Sequence, residues 1–191
     1  MKVTVLSEHG FEEALLGLSL SRNQSIERMK EIAVKKAFGE SGEAKFLEFI
    51  YIWTDVTAPR YWWQEADTYR LSSKQSESTM YSLCKSKLTL DRFEYNEYTK
   101  DIIEEQIESL NKLIFQYSEC KESDIRKKLK LAIKQALPES FLQRRIWCMN
   151  YKTLQNIYNQ RKNHFLPEWR IFLRSVLDGI SYPELITGVS D

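Results

Sequence analysis

Hydrophobic and polar positions along the first third of the chain predict a strand, two helices and a second strand. Val3 and Val5 alternate with polar neighbours, as in a short strand. Apolar residues then recur every three or four positions over residues 11–18 and 26–33, which predicts two amphipathic helices. Residues 46–56, FLEFIYIWTDV, are rich in Ile, Tyr, Trp and Val and are typical of a buried strand.

The middle of the chain predicts a short helix, a loop and two longer helices. Pro59 suits the first turn of a helix over residues 59–70. Residues 71–79 lack apolar periodicity and therefore predict a loop. The longest apolar stripe runs through residues 98–117, and Ser123 can cap the helix that follows it.

The C-terminal part predicts one more strand and two helices. The strand covers residues 141–150, and the helices cover residues 151–162 and 167–178, with Gly179 as a C-cap. The predicted strands are too few and too irregularly spaced for a doubly wound parallel sheet. The predicted fold class is therefore α+β, in a single domain over residues 1–191.

Composition limits the classes of partner. Hydrophobic residues make up 42% and aromatic residues 13% of the chain, which is typical of a folded globule. With 28 Lys and Arg against 27 Asp and Glu, the net charge is +1, so there is no strong nucleic-acid signal. No apolar run is long enough for a membrane span, and the N-terminus does not have the pattern of a signal peptide. These features favour a cytoplasmic protein with no membrane partner.

Metal-ligating residues are scarce in this sequence. His9 and His164 are its only histidines, and Cys84, Cys120 and Cys148 lie far apart and form no C-x-x-C pair. A histidine-rich metal site is therefore excluded, and we expect no metal.

The adjacent residues Trp62 and Trp63 raise the question of a ligand site. On a helix they point about 100° apart, so one could line a pocket while the other is buried. Burial of both, in the core or at a subunit interface, is the simpler interpretation.

Polar side chains follow these tryptophans. Glu65, Thr68 and Tyr69 have the spacing of one helix face and could hold a polar ligand, although an ordinary solvated face has the same spacing. The hydroxyl residues between 72 and 79 could cradle a phosphate, although serine-rich loops are common.

Two arginines lie in the strand predicted over residues 141–150. Because neighbouring strand residues face opposite sides, either Arg144 or Arg145 must point toward an apolar side or a crevice. An inward arginine needs an anionic partner, which is either a carboxylate or a ligand phosphate.

Residues 59–81 and 137–161 resemble the two signature regions of the flavin-dependent thymidylate synthases. In that family a helix begins at a proline, ends in Arg-His-Arg and is followed by x-x-Ser-x-Asn-Glu-x-Ser-x-Arg-Tyr. The segment PRYWWQEADTYR-LSSKQSESTMY falls on this pattern without a gap. The second region, with LPESFLQR, NYK, Asn156 and Arg161, falls on the family's later pattern. The resemblance implies a single domain with a central, mainly antiparallel sheet flanked by helices.

The resemblance also implies roles for single residues. Arg161 matches the catalytic arginine, which polarises the uracil ring, and Ser78 and Arg144 match positions that hold the phosphate of deoxyuridylate. The implied substrate-binding residues are Glu65, Ser76, Ser78 and Arg144. The implied residues for binding the flavin cofactor, FAD, are Tyr69, Arg70, Ser73, Asn150 and Asn156.

Several positions depart from the family pattern, which indicates a divergent member with a degenerate signature. The first signature arginine is Thr68, the histidine is Tyr69, and the loop's final arginine is Met80. Replacing a phosphate-binding arginine loses charge-assisted hydrogen bonds. Glu65 stands where the family has a glutamine. Its negative charge repels a phosphate, whereas its carboxylate oxygens can accept hydrogen bonds from an amino group or a sugar hydroxyl.

Two functions are consistent with this resemblance. The first is reductive methylation of dUMP or a related pyrimidine nucleotide by a homotetrameric enzyme of nucleotide biosynthesis. It would use methylenetetrahydrofolate, FAD and NADPH, and Arg161 would act electrostatically. The second is a non-catalytic relative that binds a nucleotide or a protein partner. A nucleic-acid role is a third and weaker hypothesis, because the near-neutral charge disfavours tight duplex binding.

Overall fold

The computed structural model of the chain describes residues 1–39 and 42–188, and of Met80 it describes only the backbone. The substitution of Met80 for the family's arginine therefore lies outside the described side chains. The strands are β1 Lys2–His9, β2 Tyr51–Pro59, β3 Ser72–Ser76 and β4 Leu142–Asn150. The helices are α1 Phe11–Arg22, α2 Ile26–Ala37, α3 Arg60–Ala66, α4 Thr79–Ser82, α5 Lys100–Glu119, α6 Ser123–Gln135, α7 Tyr151–Arg161, α8 Pro167–Leu177 and α9 Glu184–Thr187. Short 3₁₀ helices cover Glu43–Glu48 and Leu90–Arg92.

The four strands form one antiparallel sheet in the order β1-β2-β4-β3. The register of the two central strands is fixed by backbone hydrogen bonds: Tyr151 N donates to Ile50 O at 2.8 Å and Arg60 N donates to Phe141 O at 3.1 Å. The predicted α+β class with a central, mainly antiparallel sheet is confirmed.

The described chain divides into two compact units. The first unit contains Met1, Thr57–Gln64 and Ser76–Arg144, and the second contains Lys2–Val56, Glu65–Gln75 and the chain from Arg145 onward. The single domain expected over residues 1–191 stays a prediction.

The core of the first unit is built on the α5–α6 pair. The apolar stripe predicted over residues 98–117 lies on α5, where Ile103, Ile107, Leu110 and Ile114 are buried. Ile133 of α6 belongs to the same apolar cluster. Trp62 and Trp63 are both fully buried, with ring centroids 4.9 Å apart. The simpler interpretation of this pair, two core residues, is therefore correct.

The core of the second unit contains the inward face of β4. Trp147 stacks on Phe172 of α8 with ring centroids 5.2 Å apart, and both rings are fully buried. Helix α8 also packs against β1. None of the helices in the described ranges is both long and apolar enough to cross a membrane.

Two predicted strand and loop boundaries are wrong. The strand expected over residues 46–56 begins only at Tyr51, because Glu43–Glu48 forms a 3₁₀ helix that buries Phe46 and Leu47 together. The loop expected over residues 71–79 contains β3, an edge strand without apolar alternation. Its residues pair with a neighbouring strand although their composition carries no strand signal.

Gly179 is not the C-cap of α8; Asp178 holds that position. A Cβ at position 179 would lie 2.7 Å from Val5 Cγ2 and 3.2 Å from Ser175 O. The glycine is therefore explained by the close approach of α8 to β1.

We predict that Gly179→Ala lowers the free energy of unfolding by about 1–3 kcal/mol, because the added methyl group overpacks the contact with Val5. Gly17→Ala in α1 is the matched control, since a Cβ there meets nothing within 4 Å. That change should raise stability by about 0.5–1 kcal/mol through the better helix propensity of alanine. Urea denaturation of both variants measures the difference, and equal stability of the two would contradict the packing argument.

Candidate functional site

The second unit contains a cleft of about 540 Å³. Its walls come from the segment between α3 and β3 and from one face of α7, with one residue from the 3₁₀ helix before β2. The lining residues are Glu48, Thr68, Tyr69, Arg70, Leu71, Asn150, Lys152, Thr153, Gln155, Asn156 and Asn159. Below, this set is called the cleft.

The N-terminus of α7 lies at the cleft because strand β4 leads into the helix without a loop. Asn150 is the last residue of β4 and the N-cap of α7, and its Oδ1 accepts from Thr153 N at 2.9 Å. Asn156 and Asn159 follow at i+3 spacing and so lie on the same helix face. A helix N-terminus and exposed amides favour an anionic or polar ligand.

The charged side chains of the cleft have a positive balance. Arg70 and Lys152 are cationic, and Glu48 is the only carboxylate in the lining set. Lys152 Nζ donates to Gln155 Oε1 at 3.0 Å. The Gln155 amide is itself fixed, because Nε2 donates to Ala37 O and Leu185 O. The wall is thus rigid and suited to a ligand with negative charge.

A second group of side chains adjoins the cleft through Tyr69; it contains Glu65, Tyr69, Arg161, His164 and Trp169 and is called the Glu65 cluster. Glu65 Oε2 accepts from Arg161 Nη1 and from Trp169 Nε1, each at 2.9 Å. Arg161 Nε donates to Tyr69 Oη at 2.8 Å. The predicted catalytic arginine is therefore ion-paired with a predicted substrate-binding carboxylate.

Partial burial strengthens this ion pair. The side chains of Arg161 and Glu65 are 18% and 33% exposed. The Arg161 guanidinium also lies 5.0 Å from the Trp169 ring centre and 5.7 Å from that of Tyr69. Since screening by water is reduced here, the pair contributes more than an exposed surface pair. Glu65 neutralises Arg161.

His164 is the last member of the Glu65 cluster, and its hydrogen bonds indicate which ring nitrogen carries the proton. Its Nδ1 accepts from Leu166 N at 3.2 Å, so the hydrogen-bond network assigns the ring proton to Nε2. Nε2 lies 3.5 Å from Glu65 Oε2. The carboxylate oxygen that holds Arg161 is thus approached by three donors.

Four of the five predicted cofactor-binding residues line the cleft: Tyr69, Arg70, Asn150 and Asn156. Ser73 does not belong to the lining set. It is exposed on β3, where alternation turns it away from the side of Ser72 and Lys74.

The helix-face grouping of Glu65, Thr68 and Tyr69 is wrong, because α3 ends at Ala66. Thr68 N and Oγ1 both donate to Glu65 O in the turn that follows the helix, at 3.1 and 2.7 Å. This turn brings Tyr69 under Arg161, where its hydroxyl donates to Gln160 Oε1.

Three of the predicted substrate-binding residues, Ser76, Ser78 and Arg144, belong to the first unit, and all are exposed. Ser78 precedes α4, but its hydroxyl makes no capping hydrogen bond. Arg144 O accepts from Glu77 N at 2.9 Å, and Arg144 N donates to Glu77 Oε1 at 3.3 Å. The Glu77 carboxylate therefore lies beside the Arg144 backbone.

The inward arginine of β4 is Arg145, and its partner is a protein carboxylate. Its side chain is 15% exposed, and Nη1 donates to both oxygens of Asp67 at 3.0 Å. Lys74 shares Asp67 at 3.6 Å and lies 4.6 Å from the Trp147 ring centre. The anionic partner of this inward arginine is thus a carboxylate of the protein itself.

Sequence reasoning assigned no site role to several residues of the two groups, among them Lys152, Asn159, His164 and Trp169. Lys152 and Asn159 continue the helix face of Asn156, a signal that a helical projection would have given. Trp169 lies in the region where the second signature departs from its pattern, and no local feature marked it as a donor to Glu65.

Comparison with known proteins decides the family. Residues 4–181 match the family described as thymidylate synthase complementing protein. The chain belongs to this family. The resemblance identified from the two signature regions is therefore confirmed.

Solved structures of thymidylate synthase complementing proteins share this fold. Thymidylate synthase X from Helicobacter pylori, solved with FAD and dUMP, matches with a TM-score of 0.77 at 18% identity, over 97% of this chain and 96% of that one. A second structure of the flavin-dependent enzyme from H. pylori, complexed with FAD and dUMP, matches with a TM-score of 0.76 at 19% identity over the full length of both chains. No curated protein matches this chain.

The described residues contain no candidate metal site. Within residues 1–39 and 42–188, no group of three or more His, Cys, Asp or Glu side chains could hold a metal ion.

The Lys74–Asp67–Arg145 group predicts a pH dependence. Burial lowers the pKa of Lys74 below 10.5, and Arg145 adds to the lowering while Asp67 opposes it. The unfolded chain therefore keeps the Lys74 proton to higher pH than the folded chain does. The free energy of unfolding should therefore increase as the pH rises through the window between the lowered pKa of Lys74 and 10.5.

Relative to Lys74→Met, the wild type should thus gain free energy of unfolding as the pH approaches 10.5. Denaturation of both proteins across the alkaline range measures this gain. Lys127→Met is the control, because the Lys127 side chain is 75% exposed. The difference in free energy of unfolding between wild type and Lys127→Met should not change with pH. A difference between wild type and Lys74→Met that is equally constant would contradict the burial argument.

Proposed function

We propose that this chain is an FAD-dependent enzyme that acts on a pyrimidine deoxynucleotide, dUMP or a close relative. The reaction would be a reductive methylation with methylenetetrahydrofolate, with NADPH as the source of electrons. The observation that carries the proposal is the convergence of Tyr69, Arg70, Asn150 and Asn156 on one cleft. The solved relatives from H. pylori, which bind FAD and dUMP, support the same ligands here.

The residues of the cleft fit a flavin dinucleotide. A volume of about 540 Å³ lies within the usual range for cofactor sites. Arg70, Lys152 and the N-terminus of α7 would hold the anionic part of the cofactor. The amides of Asn156 and Asn159 would orient its polar edges. When bound, the flavin supplies the hydride-transfer chemistry.

The chain's own contribution is binding and electrostatics. The cleft lining contains no cysteine or serine that could act as a nucleophile. Arg161 is the residue that would stabilise charge on the substrate ring, with Tyr69 and Trp169 fixing its orientation. Ser78 and Arg144 remain the proposed phosphate-binding residues, and Glu65 and Ser76 complete the proposed substrate set.

A second candidate function is favoured by the ion pair in the Glu65 cluster. An arginine already neutralised by a carboxylate at 2.9 Å stabilises a developing anion much less than a free arginine does. The chain would then be a non-catalytic relative that keeps the cofactor cleft and binds a flavin or a nucleotide. Assembly as a homotetramer and a cytoplasmic location are part of the proposal for either function.

We predict that the purified protein binds FAD and that Arg70→Ala weakens the binding by about 10-fold, because a charge-assisted hydrogen bond is lost. Titration with FAD, followed by the visible absorption of the bound flavin after dialysis, measures the affinity. Arg170→Ala is the matched control: Arg170 is an exposed arginine of α8 outside the cleft lining. Folded protein that binds no FAD would eliminate the redox function.

The two candidates separate in a turnover experiment. Protein loaded with FAD and reduced anaerobically by NADPH is mixed with methylenetetrahydrofolate and a pyrimidine deoxynucleotide, and flavin reoxidation and methylated product are measured. We expect product from the wild type and none from Arg161→Ala. FAD binding without product from any pyrimidine deoxynucleotide would favour the non-catalytic relative, and full activity of Arg161→Ala would remove the electrostatic role of that residue.

A further inference from the structure

We propose that Glu65 makes this site select an amino-substituted pyrimidine ring, of the cytosine type, over a uracil ring. The inference rests on the proposed function, since it names the substrate class of the same nucleotide site. It begins from the chemistry that the Glu65–Arg161 pair can offer to a ligand.

Glu65 has one oxygen in use and one available. Oε2 accepts from Arg161 and Trp169 and is approached by His164. Oε1 receives no hydrogen bond from any residue in the described ranges. One third of the Glu65 side chain is exposed, so a ligand can approach the carboxylate. The vacant acceptor calls for a ligand that donates a hydrogen bond.

The charge balance disfavours a ring that becomes an anion. A negative ring placed beside Arg161 would also lie beside the Glu65 carboxylate, since the two groups are 2.9 Å apart. Attraction to the guanidinium and repulsion from the carboxylate then largely offset each other. The site therefore stabilises a ring that stays neutral, or that gains a proton, better than one that loses a proton.

Hydrogen-bond complementarity also favours a cytosine-type ring over a uracil ring. The pair presents a carboxylate acceptor beside a guanidinium donor, which matches the amino donor and ring-nitrogen acceptor of cytosine. Glutamate accepting from the cytosine amino group is a recurrent pairing. A uracil ring in the same pose would set its carbonyl oxygen against the Glu65 carboxylate, and an acceptor facing an acceptor is unfavourable.

The test is equilibrium binding of dCMP, dUMP and UMP to the FAD-loaded protein, measured by calorimetry. The wild type should bind dCMP about 10-fold more tightly than dUMP, as expected for one partly exposed hydrogen bond to a charged group. Glu65→Gln removes the charge, frees Arg161 and should abolish or reverse this preference. Glu65→Asp keeps the charge and should retain the preference in part.

Asp178→Asn is the control for a change of net charge, because Asp178 is 72% exposed at the end of α8 and lies outside the cleft and the Glu65 cluster. It should leave the preference for dCMP unchanged. Thermal melts confirm that each variant is folded before its affinities are compared.

The outcomes separate this inference from the proposed function. Equal affinities for dCMP and dUMP, unaltered in Glu65→Gln, would overturn the inference while nucleotide binding itself stands. A preference for UMP over dUMP that depends on Glu65 would assign the carboxylate to a sugar hydroxyl and overturn the choice of base. An FAD-loaded protein that binds none of the three nucleotides would reject the proposed function, and the inference with it.

Discussion

The direct junction of β4 and α7 at Asn150 is the constraint on which the candidate site depends. Asn150 ends the strand and caps the helix, while Tyr151 N is already hydrogen-bonded to Ile50 O of the chain leading into β2. Because no loop separates them, the register of β4 in the sheet sets the rotational phase of α7 about its axis. That phase places Asn156 on the cleft and Arg161 beside Glu65. The positions of both side chains are thus fixed by one sheet pairing.

The Glu65 cluster retains Arg161 but reduces the ability of its guanidinium to stabilise negative charge on a ligand. A glutamine at position 65 could accept a hydrogen bond from Arg161 and leave the guanidinium charge available. The carboxylate cancels that charge and adds Trp169 and His164 as donors around the same oxygen. Because the whole group is partly buried, the cancellation is not screened away by water. Retention of a catalytic residue type is therefore weaker evidence for the reaction than the electrostatic state of that residue.

Much of the fold and part of the site could be predicted from the sequence. The helices with strong apolar periodicity, such as α5, were identified because burial of one face leaves a local pattern. Strand β3 was missed because an exposed edge strand is stabilised by pairing with a distant segment. The cleft residues came from matched signature positions, whereas the Glu65–Arg161 pair joins residues far apart in sequence and no local pattern records it. Ser73 was chosen from the loop pattern, which does not record the strand alternation that turns its side chain away from that of Ser72 and Lys74.

The cleft and the Glu65 cluster differ in their charge balance. The cleft keeps Arg70, and Lys152 supplies a cation where the family's Asn-x-Arg has its arginine, so the lining has a positive balance although Thr68 replaces the first signature arginine. In the Glu65 cluster, the carboxylate cancels the charge of Arg161, the residue proposed to stabilise charge on the substrate ring. Under the proposed function, a positive cleft for the cofactor together with a cancelled charge at Arg161 favours a changed substrate. One oxygen of Glu65 accepts from both Arg161 and Trp169 at 2.9 Å, so the carboxylate that cancels the arginine charge is held in a defined hydrogen-bonded position.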